Sequence, residues 1–475
     1  MLTPDRPAVI SLVLAALVLR ASLASAQALE QRGVRPIPNA GDAVQPATDR
    51  LELSARGETY LQLFRRALLP GPNGALVEAE EAAPLHQYLS LAARDVDTPW
   101  RKDSVDIELS AWGRAWLGRS EFEPTFDGDV QTASLRYHQG PFWARLGRQQ
   151  AGGGAARFAR FDGIMLGAEQ GLGWFAAAYA GFTVLPRWNQ RPGYHHLGSA
   201  ADSLLRDPQA EPTRSGNWLT GGRLGYGTAR LSGSVSAHEE RDAALLAHRS
   251  LGVDGRATLS DRASTGGSAL VELDAKRLAN ARLWLDTTPH RLLDLSAEFF
   301  RVEPALLLSR QSVLSVFSTA KYSELGGAAT FRMLPELRLE TNGYVELYHA
   351  ARAGARSEIA LRLLVDQARQ TLVRVAYARV LGSDNGYHSV RLSLQRRLQS
   401  RLISTLEAYG YFYDRPVLGY LTSSVYASTL AYQALDALDV MLGGSLARTP
   451  YAAFDAEALL RVSYAFDAAP RRSRW

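Results

Sequence analysis

The stretch FDAEALLRVSYAF, Phe454 to Phe466, alternates without a break. One set carries Phe454, Ala456, Ala458, Leu460, Val462, Tyr464 and Phe466. The other carries Asp455, Glu457, Leu459, Arg461, Ser463 and Ala465. An extended strand sends successive side chains to opposite faces, so these thirteen residues form a ribbon with one apolar face and one mixed face. The same period recurs upstream. Val105, Ile107, Leu109, Ala111, Ala115 and Leu117 alternate with Asp106, Glu108, Ser110, Trp112, Arg114 and Trp116. Leu337–Tyr348, Glu358–Asp366 and Val390–Arg397 repeat it, and turn residues such as Pro289, Pro335 and Gly382 to Gly386 separate the ribbons.

Either a soluble sandwich or a membrane barrel would produce this alternation. Two features favour the barrel. Small residues crowd the ribbons, as in Ala176 to Ala178, Gly221-Gly222 and Gly326 to Ala329, and would pack a dry core poorly. Tyr60, Trp100, Tyr137, Phe142, Tyr226, Phe331, Tyr413 and Phe466 recur near ribbon ends, where interfacial girdles need aromatic rings. The spacing predicts an all-β, antiparallel transmembrane β-barrel of about 18 strands, within a range of 16 to 22. Long connections at Arg66–Pro84 and Pro186–Gly216 predict extracellular loops on one rim, opposite short periplasmic turns.

The remaining composition agrees with export to that location. Met1 to Ala26 reads as a signal peptide, with Arg6, an apolar run from Ala8 to Leu19, and cleavage marked by Ala24 and Ala26. Residues 27–50 read as a flexible periplasmic segment, and 51–475 as the barrel. After the signal no apolar run is long enough for a helical span, which does not bear on strands. The chain has no cysteine, which excludes disulfides, thiolate metal sites and a cysteine nucleophile. Net charge is only +5, and bases alternate with acids instead of clustering, so nucleic acid is not an expected partner. No cofactor motif and no metal-ligand spacing appear; His195-His196 lies in a loop without nearby acids. His388-Ser389 lacks the surroundings of a catalytic triad, so the chain reads as a non-enzyme.

If the apolar sets face lipid, their alternates line the lumen. Lysine occurs only at 102, 276 and 321, and the rest of the 53 basic residues are arginine. On that rule Arg114, Arg136, Arg145, Arg223, Arg230, Arg282, Arg338, Arg362, Arg374, Arg391 and Arg461 face inward, with Glu108, Glu298, Glu340, Glu346 and Glu407 among their acidic companions. An arginine-lined bore would concentrate anionic or hydroxyl-rich solutes. The same residues would otherwise form a salt-bridge network that stiffens the wall.

Two resemblances extend this reading. The final strand, with Tyr464 and Phe466 near its end, resembles the recognition signal of outer-membrane barrel assembly, which implies the barrel-assembly machinery and outer-membrane lipid, including lipopolysaccharide, as partners. Here Asp467 to Trp475 follow the aromatic that usually ends such chains. Arg145-Leu-Gly147-Arg148-Gln149, then Gly152 to Gly154, Arg157 and Arg160-Phe161-Asp162-Gly163, resembles a hairpin of alginate-export and related porin-like barrels. That resemblance implies passage of an anionic polysaccharide past Arg145, Arg148, Arg157 and Arg160, with a separate periplasmic polysaccharide-export protein as partner. The alternatives are a general or solute-specific diffusion porin, and a structural surface barrel with a plugged lumen.

Overall fold

The computed structural model describes residues 52–475 apart from 69–78, 98–102, 118–125, 154–155, 170–172, 185–216, 243–244, 304–320, 349–352, 369, 383–384, 451 and 469–475, with backbone alone for some strand-end residues. Ala24, Ala26 and the 27–50 segment lie outside the described residues. Every described element is a β-strand. The first eight are β1 (Glu52–Leu68), β2 (Ala79–Ala82), β3 (Pro84–Asp97), β4 (Asp103–Trp116), β5 (Phe126–Gln139), β6 (Phe142–Gly153), β7 (Ala156–Glu169) and β8 (Trp174–Thr183). Then come β9 (Trp218–Gly227), β10 (Leu231–Asp242), β11 (Leu245–Ser260), β12 (Ala263–Glu272), β13 (Arg277–His290), β14 (Leu293–Val302), β15 (Tyr322–Arg332) and β16 (Leu337–Tyr348). The last are β17 (Ala353–Asp366), β18 (Thr371–Leu381), β19 (Tyr387–Gln399), β20 (Leu402–Val417), β21 (Tyr420–Leu435), β22 (Leu438–Arg448) and β23 (Ala452–Ala468).

From β3 onward each strand pairs antiparallel with the next. β1 closes the ring against β23, from Leu53↔Ala468 to Leu68↔Ala452. On its other edge β1 holds β3 along its first half and β2 along its last turn, so those two share one position and the barrel has 22. The expectation of about 18 is corrected to the top of its range. The excess comes from hairpins whose two-residue turns lack glycine and proline: Asp261-Arg262, Arg291-Leu292, Ser400-Arg401 and Asp436-Ala437. Closure satisfies the backbone groups that an open edge would expose.

The two rims differ. On the rim that holds the start of β1 and the end of β23, connections never exceed five residues; on the other, intervals run 117–125, 184–217 and 303–321. These are the turn side and the loop side. Outward rows are apolar over the middle of the wall, with Leu146, Ile164, Leu224, Val253, Leu283, Leu361 and Leu442 exposed. A closed ladder wrapped in exposed hydrocarbon is what a bilayer stabilises and water does not. The chain therefore resides in a Gram-negative outer membrane as a β-barrel.

The wall is not a circle. β7 lies against β10 and β11, although β8 and β9 separate them in the ladder, so the wall doubles back. Ala151, Ala159, Phe161, Tyr179 and Leu219 pack together in the resulting lobe. Tyr179 reaches past β9 to His238, Oη to Nδ1 at 3.1 Å. The residue it crosses is Gly221, where a Cβ would stand 2.3 Å from that hydroxyl. A second packed group, Tyr60, Tyr88, Trp112, Met441 and Leu459, lines the inner face on both sides of the closing seam.

Candidate functional site

Opposite residues of an antiparallel pair share a face, so the register assigns each arginine to lumen or lipid. Arg114 is buried in the lumen row, 3.8 Å from Asp127. Arg136 stacks over Trp143 at 4.5 Å and lies 3.9 Å from Glu169. Arg145 donates to Glu108 at 2.5 Å and to Ser134 at 2.8 Å. Arg223 holds Ser234 and Asp254 and covers Phe175. Arg282 meets Glu298 at 2.6 Å, and Arg391 meets Glu407 at 2.9 Å. Arg461 faces inward opposite Tyr60 and Met441. Each acid comes from a neighbouring strand or the next but one, so these pairs tie the wall together and leave little free charge. The water-facing ones, such as Arg136–Glu169, contribute roughly 0–1 kcal/mol each.

On the turn side a different row appears. Arg332 stands opposite Arg338, Arg338 opposite Arg362, and Arg362 opposite Arg374, which faces Ser393. Four guanidinium groups from β15 to β18 thus share one rung of the lumen. The outer two are neutralised: Arg332 by Asp294, and Arg374 by Glu358 at 2.5 Å and Glu340 at 3.4 Å. Arg338 and Arg362 form no ion pair or hydrogen bond among the described residues, and both are exposed. Like charges placed directly opposite cost about 0.2–1 kcal/mol where nothing screens them. The sequence singled out both residues, but not that the register places them face to face. It missed Arg332 altogether. It also missed Arg356, which is buried in the lumen row with Glu324 at 2.7 Å and Glu346 at 3.2 Å, over the Tyr344 ring. The signal for Arg356 was present, since it shares parity with Glu358 and Arg362.

The hairpin that suggested polysaccharide passage is corrected. Gly147 takes a φ of +112°, and a Cβ there would lie 2.2 Å from the Ala133 carbonyl oxygen. The β5–β6 ladder stops one residue further, at Ala133↔Arg148. Arg148 stands opposite Asp162, which stands opposite the exposed Phe182, so that rung faces lipid. Arg148 grips Asp162 through two hydrogen bonds of 2.8 Å. Arg160, one residue from the inward Phe161, is buried against Asp129 at 2.6 Å. Neither joins the lumen row of Arg145; both close the seam where β5 leaves β6. The Arg157 side chain lies outside the described residues. His388 and Ser389 point to opposite faces, His388 toward Tyr377 and Asp414 on the outer wall, and so cannot act as a pair.

Lumen exposure is graded. Buried inward side chains gather in the loop-side half, including His86, Trp116, Gln149, Tyr179, His238, Glu272, Glu324 and Arg356. Several have polar atoms without a partner, among them both ring nitrogens of His86 and the Trp116 indole nitrogen. The exposed Arg338 and Arg362 lie in the turn-side half. The inner face is thus packed toward the loop side and open toward the turn side.

No family model and no curated protein matches this chain. Solved structures similar in shape include Pseudomonas aeruginosa OccD3 (OpdP), at 10% identity and a TM-score of 0.38 over 88% of this chain and 91% of that one. Acinetobacter baumannii OccAB1 matches at 9% identity and 0.41 over 88% and 96%. Pseudomonas aeruginosa OpdK, solved with vanillate, matches at 10% and 0.38 over 88% and 99%. The fold assignment rests on the closed ladder and not on these likenesses.

Proposed function

We propose that this barrel is a diffusion channel for small anionic solutes, admitted or released past the Arg338–Arg362 rung. One observation carries the reading. Two exposed guanidinium groups face each other across neighbouring strands and neither forms an ion pair among the described residues, whereas Arg145, Arg223, Arg282, Arg356 and Arg391 each hold an acid. An anion that bridges the two relieves their repulsion and satisfies planar donors suited to carboxylate or phosphate oxygens. The flanking Arg332 and Arg374 are already held by acids and so do not compete for the ligand.

Passage of polysaccharide loses its residue-level support, because Arg148 and Arg160 close a wall seam instead of lining the bore. Pairing of the remaining arginines across strands fits a stiff wall better than a continuous sliding track for a polymer. The test is single-channel recording in planar bilayers under a salt gradient. The wild type is expected to prefer anions, with a reversal potential displaced accordingly. Substituting Arg338→Gln and Arg362→Gln together should lower the anion-to-cation permeability ratio several-fold while conductance persists. An unchanged ratio, or a wild type without anion preference, overturns the reading.

A further inference from the structure

The inner face also carries a column of tyrosines. On β20, Tyr409, Tyr411 and Tyr413 continue the inward alternation of Glu407 and stand opposite Arg391, Ser389 and Tyr387 of β19. Phe412, between the last two, points to the lipid side and is exposed there. Tyr387 leans into the column, its ring 5.8 Å from Tyr411 and 6.3 Å from Tyr413 and edge-on to both. The flanks of the column are low. Ala376 and Ala378 of β18 stand opposite Arg391 and Ser389 on one side, and Ser423 and Val425 of β21 opposite Tyr411 and Tyr409 on the other. The four rings therefore rise above their neighbours, and all are partly exposed.

Two features separate this column from ordinary packing. Hydroxyls fringe the rings: Ser389 and Ser423 occupy the rung of Tyr411, and the Tyr413 hydroxyl lies 2.9 Å from Ser423 Oγ. The column also has a charged foot. Arg391 caps the Tyr409 ring at 4.8 Å and is held by Glu407, to which the Tyr409 hydroxyl donates at 2.6 Å. One rung below, Ser393 faces Arg374, the end of the arginine row that runs through Arg362 and Arg338. Ser393 stands level with Glu407, so the descent from Tyr413 to the row is about 20 Å along neighbouring strands.

We infer that the solute selected by this barrel is a sugar acid, a pyranose ring that bears a carboxylate. The inference rests on the anion reading of the Arg338–Arg362 rung and adds the uncharged part of the solute. A tyrosine face is the negative side of its quadrupole and attracts the slightly positive C–H face of a sugar ring. The phenol and serine hydroxyls both donate and accept, as the hydroxyls of the sugar do. Below them the carboxylate meets guanidinium forks that suit its planar geometry. A flat aromatic acid would use the ring faces and leave the hydroxyl fringe without a role. A short aliphatic acid would use neither.

The test is current block in planar bilayers, with glucuronate, glucose, benzoate or acetate added to both sides. For the wild type, glucuronate is expected to half-block the current at the lowest concentration of the four. Tyr387→Ala/Tyr411→Ala should raise that concentration about tenfold, from roughly threefold per ring, and leave acetate where it was. Tyr411→Phe/Tyr413→Phe keeps the rings and removes the hydroxyls, and it serves where loss of two rings prevents folding. It should weaken block by glucuronate several-fold and leave benzoate unchanged. The anion-to-cation ratio, read from salt alone, should keep its wild-type value in both variants, so failure of the rung and failure of the column show separately. Block by glucuronate no stronger than by glucose, benzoate or acetate overturns the inference. So does a phenylalanine variant that glucuronate blocks as it blocks the wild type.

Discussion

Gly147 shows how one residue decides what its neighbours do. Its φ of +112° lies where side chains other than glycine are strained, and the space for a Cβ is filled by the Ala133 carbonyl. That kink lets the upper part of β5 leave β6, and Arg148, Asp162, Arg160 and Asp129 close the resulting seam. The Gly147→Ala variant therefore pays in backbone strain and in a displaced β5. A loss on the order of 1–3 kcal/mol is expected. Denaturant titration of the detergent-folded barrel, followed by tryptophan fluorescence, would register it as an earlier midpoint. Replacement of Gly343, where a Cβ meets nothing within 4 Å, should move the midpoint much less. Equal shifts for the two variants would mean that the seam is not held as described.

At the scale of the strand, alternation makes a strong forecast about which positions tolerate charge. On β17, Ile359, Leu361 and Leu363 face lipid, whereas Glu358, Ala360 and Arg362 face inward. Leu361→Arg places a guanidinium in hydrocarbon near the strand's middle and is expected to cost ~2–4 kcal/mol, with folded yield in lipid vesicles reduced to match. Arg362→Glu, one residue away, reverses an exposed lumen charge that no ion pair holds among the described residues and should leave the folded yield nearly intact. Reversal of that order would mean that the strand's faces are exchanged. The same alternation explains what was legible beforehand. Faces of β4, β16, β17, β19 and β23 followed directly from period 2, and with them the inward Arg114, Arg338, Arg362, Arg391 and Arg461. Strand number was less legible, because Asp261-Arg262 and Ser400-Arg401 turn without glycine or proline. The partners of each arginine were not legible at all. They depend on register between strands, and register follows from turn length and bulges such as the one after Ser110.

At the scale of the whole molecule, everything said of lumen and lipid depends on β1 meeting β23. The two strands share their full length, and Leu61 stands opposite Leu460 on the lipid face. The chain contains no cysteine, so a pair introduced at these two positions reports on nothing else. Side chains directly opposite in an antiparallel pair bring their Cβ atoms within about 4.5–5.5 Å, close to the separation that a disulfide spans. The Leu61→Cys/Leu460→Cys variant, oxidised in the membrane and then nicked within 184–217, is expected to run as one species without reductant and as two with it. Single cysteine variants should always give two. If the oxidised, nicked double variant also separates without reductant, while a pair at Ala176 and Leu224, opposite each other on the strands either side of the nick, stays joined, then the ladder is open between its first and last strands. An open edge of that length could not persist in hydrocarbon, where each unpaired backbone group costs several kcal/mol. The lumen and its arginine rung would then have to be assigned again from the register upward.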